Sequence, residues 1–225
     1  MERLRLDSDR RWLVTVSSGM LGRDVLTRLA GCDARGAMRA DVDIASFEEV
    51  TAAVRGIDIV GNAAAWTAVD EAETSESAAF DINAMGAANL ACVHCLRRLA
   101  VHVSTDYVFR EDGLRLCGRS AQAVRGDAVV APRTAYGVRP DKGTRRVAVR
   151  SLAPANYHVI RAAWPYGKHA RSFVRTMNRL ATERDEVNVF QVQVGQPNVG
   201  CGPRGAAGRD GRRRRACHLP RRCVR

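Results

Sequence analysis

The sequence predicts an α/β fold built on a doubly wound parallel sheet, and three observations predict it. Apolar runs of strand length recur at residues 12–16, 57–60, 101–105 and 158–162. Segments with helical spacing stand between them, and strand alternating with helix is the pattern that right-handed crossovers turn into a parallel sheet. The 225 residues are 46% hydrophobic, enough for one generous domain or two small ones to bury a core without disulfide staples.

Each element has its own signal. Arg11-Trp12-Leu13-Val14-Thr15-Val16 reads as a buried strand, Ser17 to Gly22 as a glycine-containing turn, and the residues from Arg23 as a helix stopped by Gly31. No second strand is legible between Gly31 and Ala40. Ser46 announces a helix, because Glu49 follows three residues later as in a capping box, and Gly56 should end it. Ile57 to Val60 reads as a short strand and Asn62 to Thr67 as a turn of small residues. Apolar residues from Ala84 to Leu99 recur at helical spacing, and Val101 to Thr105 reads as the next strand. Between Arg110 and Val130 the pattern disappears. It returns as a strand over His158 to Ala162, a helix from about Ser172 to Thr182 with Phe173, Met177 and Leu180 on one side, and a strand over Val187 to Val194. Residues 1–199 are therefore assigned to one folded domain. Residues 200–225 have almost no large apolar side chains and are expected to stay unfolded.

Charge separates the same two parts. The net charge is +12, but nine arginines and one aspartate in residues 201–225 supply +8 of it, leaving +4 for the rest. The basic balance belongs to the tail, and without interleaved aromatic residues a solvated tail is favoured over a nucleic-acid interface. No run of about 18 apolar residues exists, and Met1 to Arg11 lacks the apolar stretch of a secretory signal, so a soluble cytoplasmic protein without a membrane partner is expected. Seven unevenly scattered cysteines fit no disulfide framework. Cys92-Val93-His94-Cys95 has redox or zinc spacing but lies within a predicted helix and lacks a second pair, so buried helix cysteines are expected and no metal site.

Thr15 to Gly22 stands where a strand meets a helix N-terminus, whose amides and dipole favour a pyrophosphate. Spacing alone leaves a purely structural turn as an equal alternative. Six further blocks accompany it: Asp41 to Ile44, Asn62 to Glu73, Ile82-Asn83-Ala84, Ser104 to Phe109, Ala135-Tyr136-Gly137 and Arg161 to Gly167. In this order they resemble the dTDP-4-dehydrorhamnose reductase family, a branch of the extended short-chain dehydrogenases, over residues 12–109, 133–137 and 155–197.

The resemblance implies a Rossmann-like sheet with part of a sugar-nucleotide lobe, and reduction of the C4 carbonyl of a dTDP-4-keto-6-deoxy sugar by NADPH or NADH. It implies a cofactor held by Gly19, Met20, Leu21, Gly22, Asp43, Ile44, Ala65, Trp66, Thr67 and Tyr136, with Thr105, Asp106 and Trp164 toward the sugar. Hydride reaching a carbonyl carbon leaves charge on oxygen, which needs a hydrogen-bond donor and then a proton. Thr105 suits the first task and Tyr136 the second; Tyr107 reads as packing. Arg35 and Arg39 would suit a 2′-phosphate and Asp33 a free ribose, which tilts the expectation toward NADPH. A homodimer is left open.

Three departures from the family pattern stand out. Val16 occupies a glycine position of the turn, Pro140 stands where a lysine follows the catalytic tyrosine by four residues, and the family continues beyond this chain to complete its sugar lobe. Residues 110–132, 138–150 and 200–225 share an Arg-, Gly-, Ala- and Cys-rich composition, expected if they are out-of-frame readings of a GC-rich gene. The alternatives are a catalytically silent dinucleotide-binding homologue and, more weakly, a nucleic-acid binder acting through the tail.

Overall fold

A computed structural model describes residues 9–94, 98–108, 156–162, 164–169, 172–188 and 198–199. Five parallel strands form the sheet: β1 (Trp12–Thr15), β2 (Ala34–Ala37), β3 (Ile59–Asn62), β4 (Leu99–Thr105) and β5 (Tyr157–Ala162), in the order β2-β1-β3-β4-β5. The fold is Rossmann-like. Helices α1 (Met20–Arg28), α2 (Phe47–Ala53), α3 (Val69–Thr74), α4 (Glu76–Phe80) and α5 (Ala87–His94) fill the connections, with a π-helical turn, Asp81–Gly86, leading into α5. Right-handed crossovers place α1 on one face of the sheet and α2 with α5 on the other; α1 packs on β1 and β2, and α5 on α2 and β4. A last helix, α6 (Phe173–Glu183), follows two-residue β6 (Pro165–Tyr166), which pairs in parallel with β7 (Asn198–Val199).

The core lies where the apolar runs placed it. Leu13, Val14, Val60, Val50 and Leu90 are each at most 1% exposed, so β1 and β3 are buried on both faces as central parallel strands require. The N-terminal ends of these strands are tied together at the opposite edge from the crevice. Asp58 accepts from the Arg11 backbone N–H at 2.9 Å and from its guanidinium at 3.2 Å, with Arg98 3.8 Å away.

Several expectations are corrected in detail. The strand expected at 57–60 begins two residues later and runs into Asn62, because Asp58 and Ile59 both donate to the Arg11 carbonyl at its start. The segment 84–99 is not one helix: it opens as a π turn, and Leu99 already pairs with Ile59 in the sheet. Ser46 does cap α2 by accepting from the Glu49 amide at 3.2 Å, but the Glu49 carboxylate reaches the Asp43 amide instead of closing a capping box. Ser46 N–H is already donated to the Asp43 carbonyl. The missing second strand is Ala34-Arg35-Gly36-Ala37, a sequence without strand character that is held by its register against β1. Cys92 is exposed, not buried, since it projects from the outer side of α5; Cys95 lies outside the described residues. Val187 and Asn188 are not in a strand, and the rest of that expected strand lies outside the described residues. The tail 200–225, the stretch 110–150 and the departures within it also lie outside them.

Candidate functional site

All five strands point their C-terminal ends to one edge, where β1 leads away to β2 on one side while β3 to β5 extend on the other. That reversal leaves a crevice between β1 and β3, the place where doubly wound sheets take their ligands. Thr15 ends β1, Ala37 ends β2 and Asn62 ends β3. In β4, His102 is level with Asn62, so Thr105 stands three residues beyond the floor, opposite Ala162 of β5.

The turn after β1 leads into a helix N-terminus of the kind that suits an anion. Ser17 N–H donates to the Ala37 carbonyl at 3.1 Å and Gly19 N–H to the Val16 carbonyl at 2.9 Å, which folds the chain back before α1 begins at Met20. Gly19 caps the helix without a side-chain hydrogen bond, so the amides of the first turn, Met20 to Gly22, rely on groups outside the helix. A Cβ on Gly22 would lie 2.2 Å from the Val16 carbonyl oxygen and 2.9 Å from Ser17 Cα. Val16 itself sits at φ +51°, the left-handed region that a β-branched residue adopts only under strain. The position expected to carry glycine is thus also one whose backbone geometry favours glycine.

Beneath this turn lies a buried polar chain. Ala63 N–H and Ala64 N–H donate to Thr15 Oγ1 at 3.1 and 3.2 Å, and Thr15 Oγ1 donates to Asn62 Oδ1 at 2.7 Å. Asn62 Oδ1 also accepts from Ala64 N–H at 3.0 Å, and Asn62 Nδ2 stands 3.0 Å from His102 Nδ1. Farther along, Trp66 N–H donates to Asn83 Oδ1 at 2.8 Å and Asn83 Nδ2 to the Trp66 carbonyl at 3.3 Å. The segment 63–67 is therefore clamped at both ends. Ala65 and Thr67 remain exposed, whereas the Trp66 ring packs on Ala72 and Ala79 and donates to the Ala68 carbonyl. Both the backbone of Trp66, held by Asn83, and its ring are thus engaged, and Ala65 and Thr67 are the exposed members of the segment.

The remaining expected residues divide. Thr105 Oγ1 accepts from Tyr107 N–H at 3.2 Å, which orients the hydroxyl at the strand end. Asp106 follows it in a 3₁₀ turn. Asp43 accepts from Ala45 N–H in a local turn, and the Ile44 side chain is buried in the core. Trp164, at φ +44°, lays its ring against Phe173 of α6 with centroids 5.4 Å apart. Tyr136 lies outside the described residues. Arg39 comes two residues after β2 ends, at the crevice edge, and is exposed. Asp33 precedes β2 at the far edge and Arg35 donates to the Ala53 carbonyl, so neither is placed to read a ribose. No group of three or more potential metal ligands occurs among the described residues, and no described helix is long and apolar enough to cross a membrane.

Sequence reasoning did not single out Thr15, Asn62, Asn83 and His102 for the site. The first three stand inside or beside the blocks already recognised, but His102 is found only through the strand order that sets it beside Asn62.

Comparison with known proteins agrees with this fold. The family model described as RmlD substrate binding domain matches residues 10–200. A dTDP-4-keto-6-deoxy-D-glucose reductase of Streptomyces niveus is 42% identical over 193 residues, covering 83% of this chain and 64% of the relative. A dTDP-4-dehydrorhamnose reductase of Streptomyces griseus is 38% identical, covering 83% and 60%. The crystal structure of dTDP-4-dehydrorhamnose reductase from Bacillus anthracis, in complex with NADP, superposes with a TM-score of 0.73 at 32% identity, over 85% of this chain and 66% of that one. The chain thus spans less than two thirds of the length of each.

Proposed function

The chain belongs to the RmlD substrate binding domain family, and from that membership we propose that it binds NADPH across the β1/β3 crevice and reduces the C4 carbonyl of a dTDP-4-keto-6-deoxy sugar. The observation that carries this reading is the crevice itself. In support, the α1 N-terminus without a side-chain cap, a glycine at 22 with no room for a Cβ, and Thr105 at the end of β4 all lie along the C-terminal edge of the sheet. The first-turn amides of α1 suit a pyrophosphate, and Arg39 at the end of β2 suits a 2′-phosphate. NADPH, when bound, supplies the hydride. Thr105 donates a hydrogen bond to the carbonyl oxygen as charge develops there, and Tyr136 delivers the proton.

The experiment supplies the full chain with NADPH and dTDP-4-keto-6-deoxyglucose, following loss of reduced-nicotinamide absorbance and isolating the sugar product. Turnover dependent on the sugar supports the reductase. Val16 at positive φ favours a second reading, a homologue that binds dinucleotide but turns over nothing. NADPH binding without sugar-dependent oxidation would select that reading, and no NADPH binding would sink both.

A further inference from the structure

The hydrogen-bond chain under the turn has only one consistent direction. Thr15 Oγ1 accepts from two amides, so its proton goes to Asn62 Oδ1; that oxygen also takes the Ala64 N–H, so the carboxamide oxygen faces Thr15 and the NH₂ faces β4. Asn62 Nδ2 must then donate to His102 Nδ1, which requires an imidazole unprotonated at Nδ1. Rotate the carboxamide by half a turn and its NH₂ would meet the Thr15 hydroxyl and the Ala64 N–H, leaving two donors opposed. The Ala64 N–H excludes this alternative, and His102, partly buried and stacked beside Tyr157 with centroids 6.2 Å apart, supplies the acceptor that holds the NH₂ on the β4 side.

We propose that His102 is a positioning residue for the dinucleotide: by accepting from Asn62 it fixes the carboxamide, and through Thr15 and Ala64 the path of residues 63–67 along the crevice. This rests on the NADPH reading given above. His102 touches no ligand; it acts through Asn62. Burial also disfavours its charged form, in keeping with an acceptor role.

The test measures NADPH affinity and thermal melting of the full chain with His102, with His102→Phe and with His102→Gln. Phenylalanine keeps a ring but offers no acceptor; glutamine offers a carbonyl oxygen. His102→Phe is expected to weaken NADPH binding about ten-fold, the scale of one buried hydrogen bond, and His102→Gln to recover most of that loss. Equal weakening by both, or no change with His102→Phe, overturns the proposal while leaving the NADPH reading intact. Failure of the unmodified chain to bind NADPH overturns both. Should His102→Phe not fold, the ¹⁵N signature of His102 in the unmodified chain decides. Protonation at Nε2 alone, with a Nδ1 shift that responds to NADP⁺, supports the role. A protonated Nδ1, or a shift indifferent to NADP⁺, overturns it.

Discussion

The carbonyl oxygen of Val16 lies 2.2 Å from where a Cβ on Gly22 would sit. Both the oxygen and the neighbouring Ser17 Cα belong to the backbone, so no rotamer change can make room. Gly22→Ala should therefore push the turn away from α1 and abolish NADPH binding, with a melting temperature several degrees lower, as expected for overpacking of about 1–3 kcal/mol. Dinucleotide titration and a thermal melt check both. Unchanged affinity in the alanine variant would remove the turn from the ligand site.

Val16→Gly makes the opposite change. Releasing a β-branched residue from φ +51° should return about 1–2 kcal/mol. The Val16 side chain is partly buried against the core, and its loss costs a similar amount. These offset in stability. The effect should instead appear in affinity, because the Val16 Cγ1 that lies 3.1 Å from the Cβ position of Gly19 is gone and the turn can approach phosphate more closely. Tighter NADPH binding at nearly constant melting temperature is the expected result; equal affinity would mean that the site tolerates valine.

What could be read from the sequence follows from where the physical signal lies. The β1 strand, α1, the Ser46 cap, α6 and β5 are local patterns, and each lies close to its expected place. The β2 strand was illegible because its residues answer to neighbours. A Cβ on Gly36 would stand 2.3 Å from Ser17 Cβ and 2.9 Å from Leu26 Cδ1, so the tight packing of β2 against the turn and α1 demands a glycine that lowers strand propensity. Leu99 fits a helical pattern as well as a strand, and only pairing with Ile59 decides it. The contact of His102 with Asn62 spans forty residues and no window contains it.

Arg39 should determine which dinucleotide is preferred. It stands at the crevice end of β2, whereas Asp33 and Arg35 point their interactions to the far edge and to α2. Arg39→Ala should weaken NADPH about ten- to a hundred-fold, the scale of a charge-assisted hydrogen-bond pair, and leave NADH almost unchanged. A parallel loss for both cofactors would assign Arg39 to some other task.

Acid should lower stability in two pH windows of separate origin. Burial lowers His102 to about 4, from an ordinary value of 6.5, so the unfolded chain binds the proton more readily between these limits. The corresponding stability is complete above pH 6.5 and is lost as pH falls toward 4, a change of the order of 3 kcal/mol. The Arg11 hydrogen bonds hold Asp58 at about 2, below its usual 3.8, so its contribution is present above pH 3.8 and disappears as pH falls toward 2. Denaturant titrations across pH should lose the first slope in His102→Gln and the second in Asp58→Asn. A first slope that persists without His102 would assign that step to another group.

In the proposed reaction, turnover is expected to depend on Tyr136 and on what Pro140 withholds. In the family's arrangement a lysine one helical turn after the tyrosine lowers the phenol pKa by charge proximity, and lowering it by one corresponds to about 1.4 kcal/mol, a factor of ten. Proline brings no charge and disfavours a helix through that position. Turnover by the unmodified chain should therefore be weak, with Pro140→Lys raising it at least about ten-fold if the phenol is the acid. Thr105→Val should lower the rate by about a hundred-fold through loss of the donor to the developing oxyanion, with little change in NADPH affinity. Tyr136→Phe should abolish turnover in either background. The three variants are compared by NADPH oxidation with a dTDP-4-keto-6-deoxy sugar, and robust turnover that survives Tyr136→Phe would mean that another group delivers the proton.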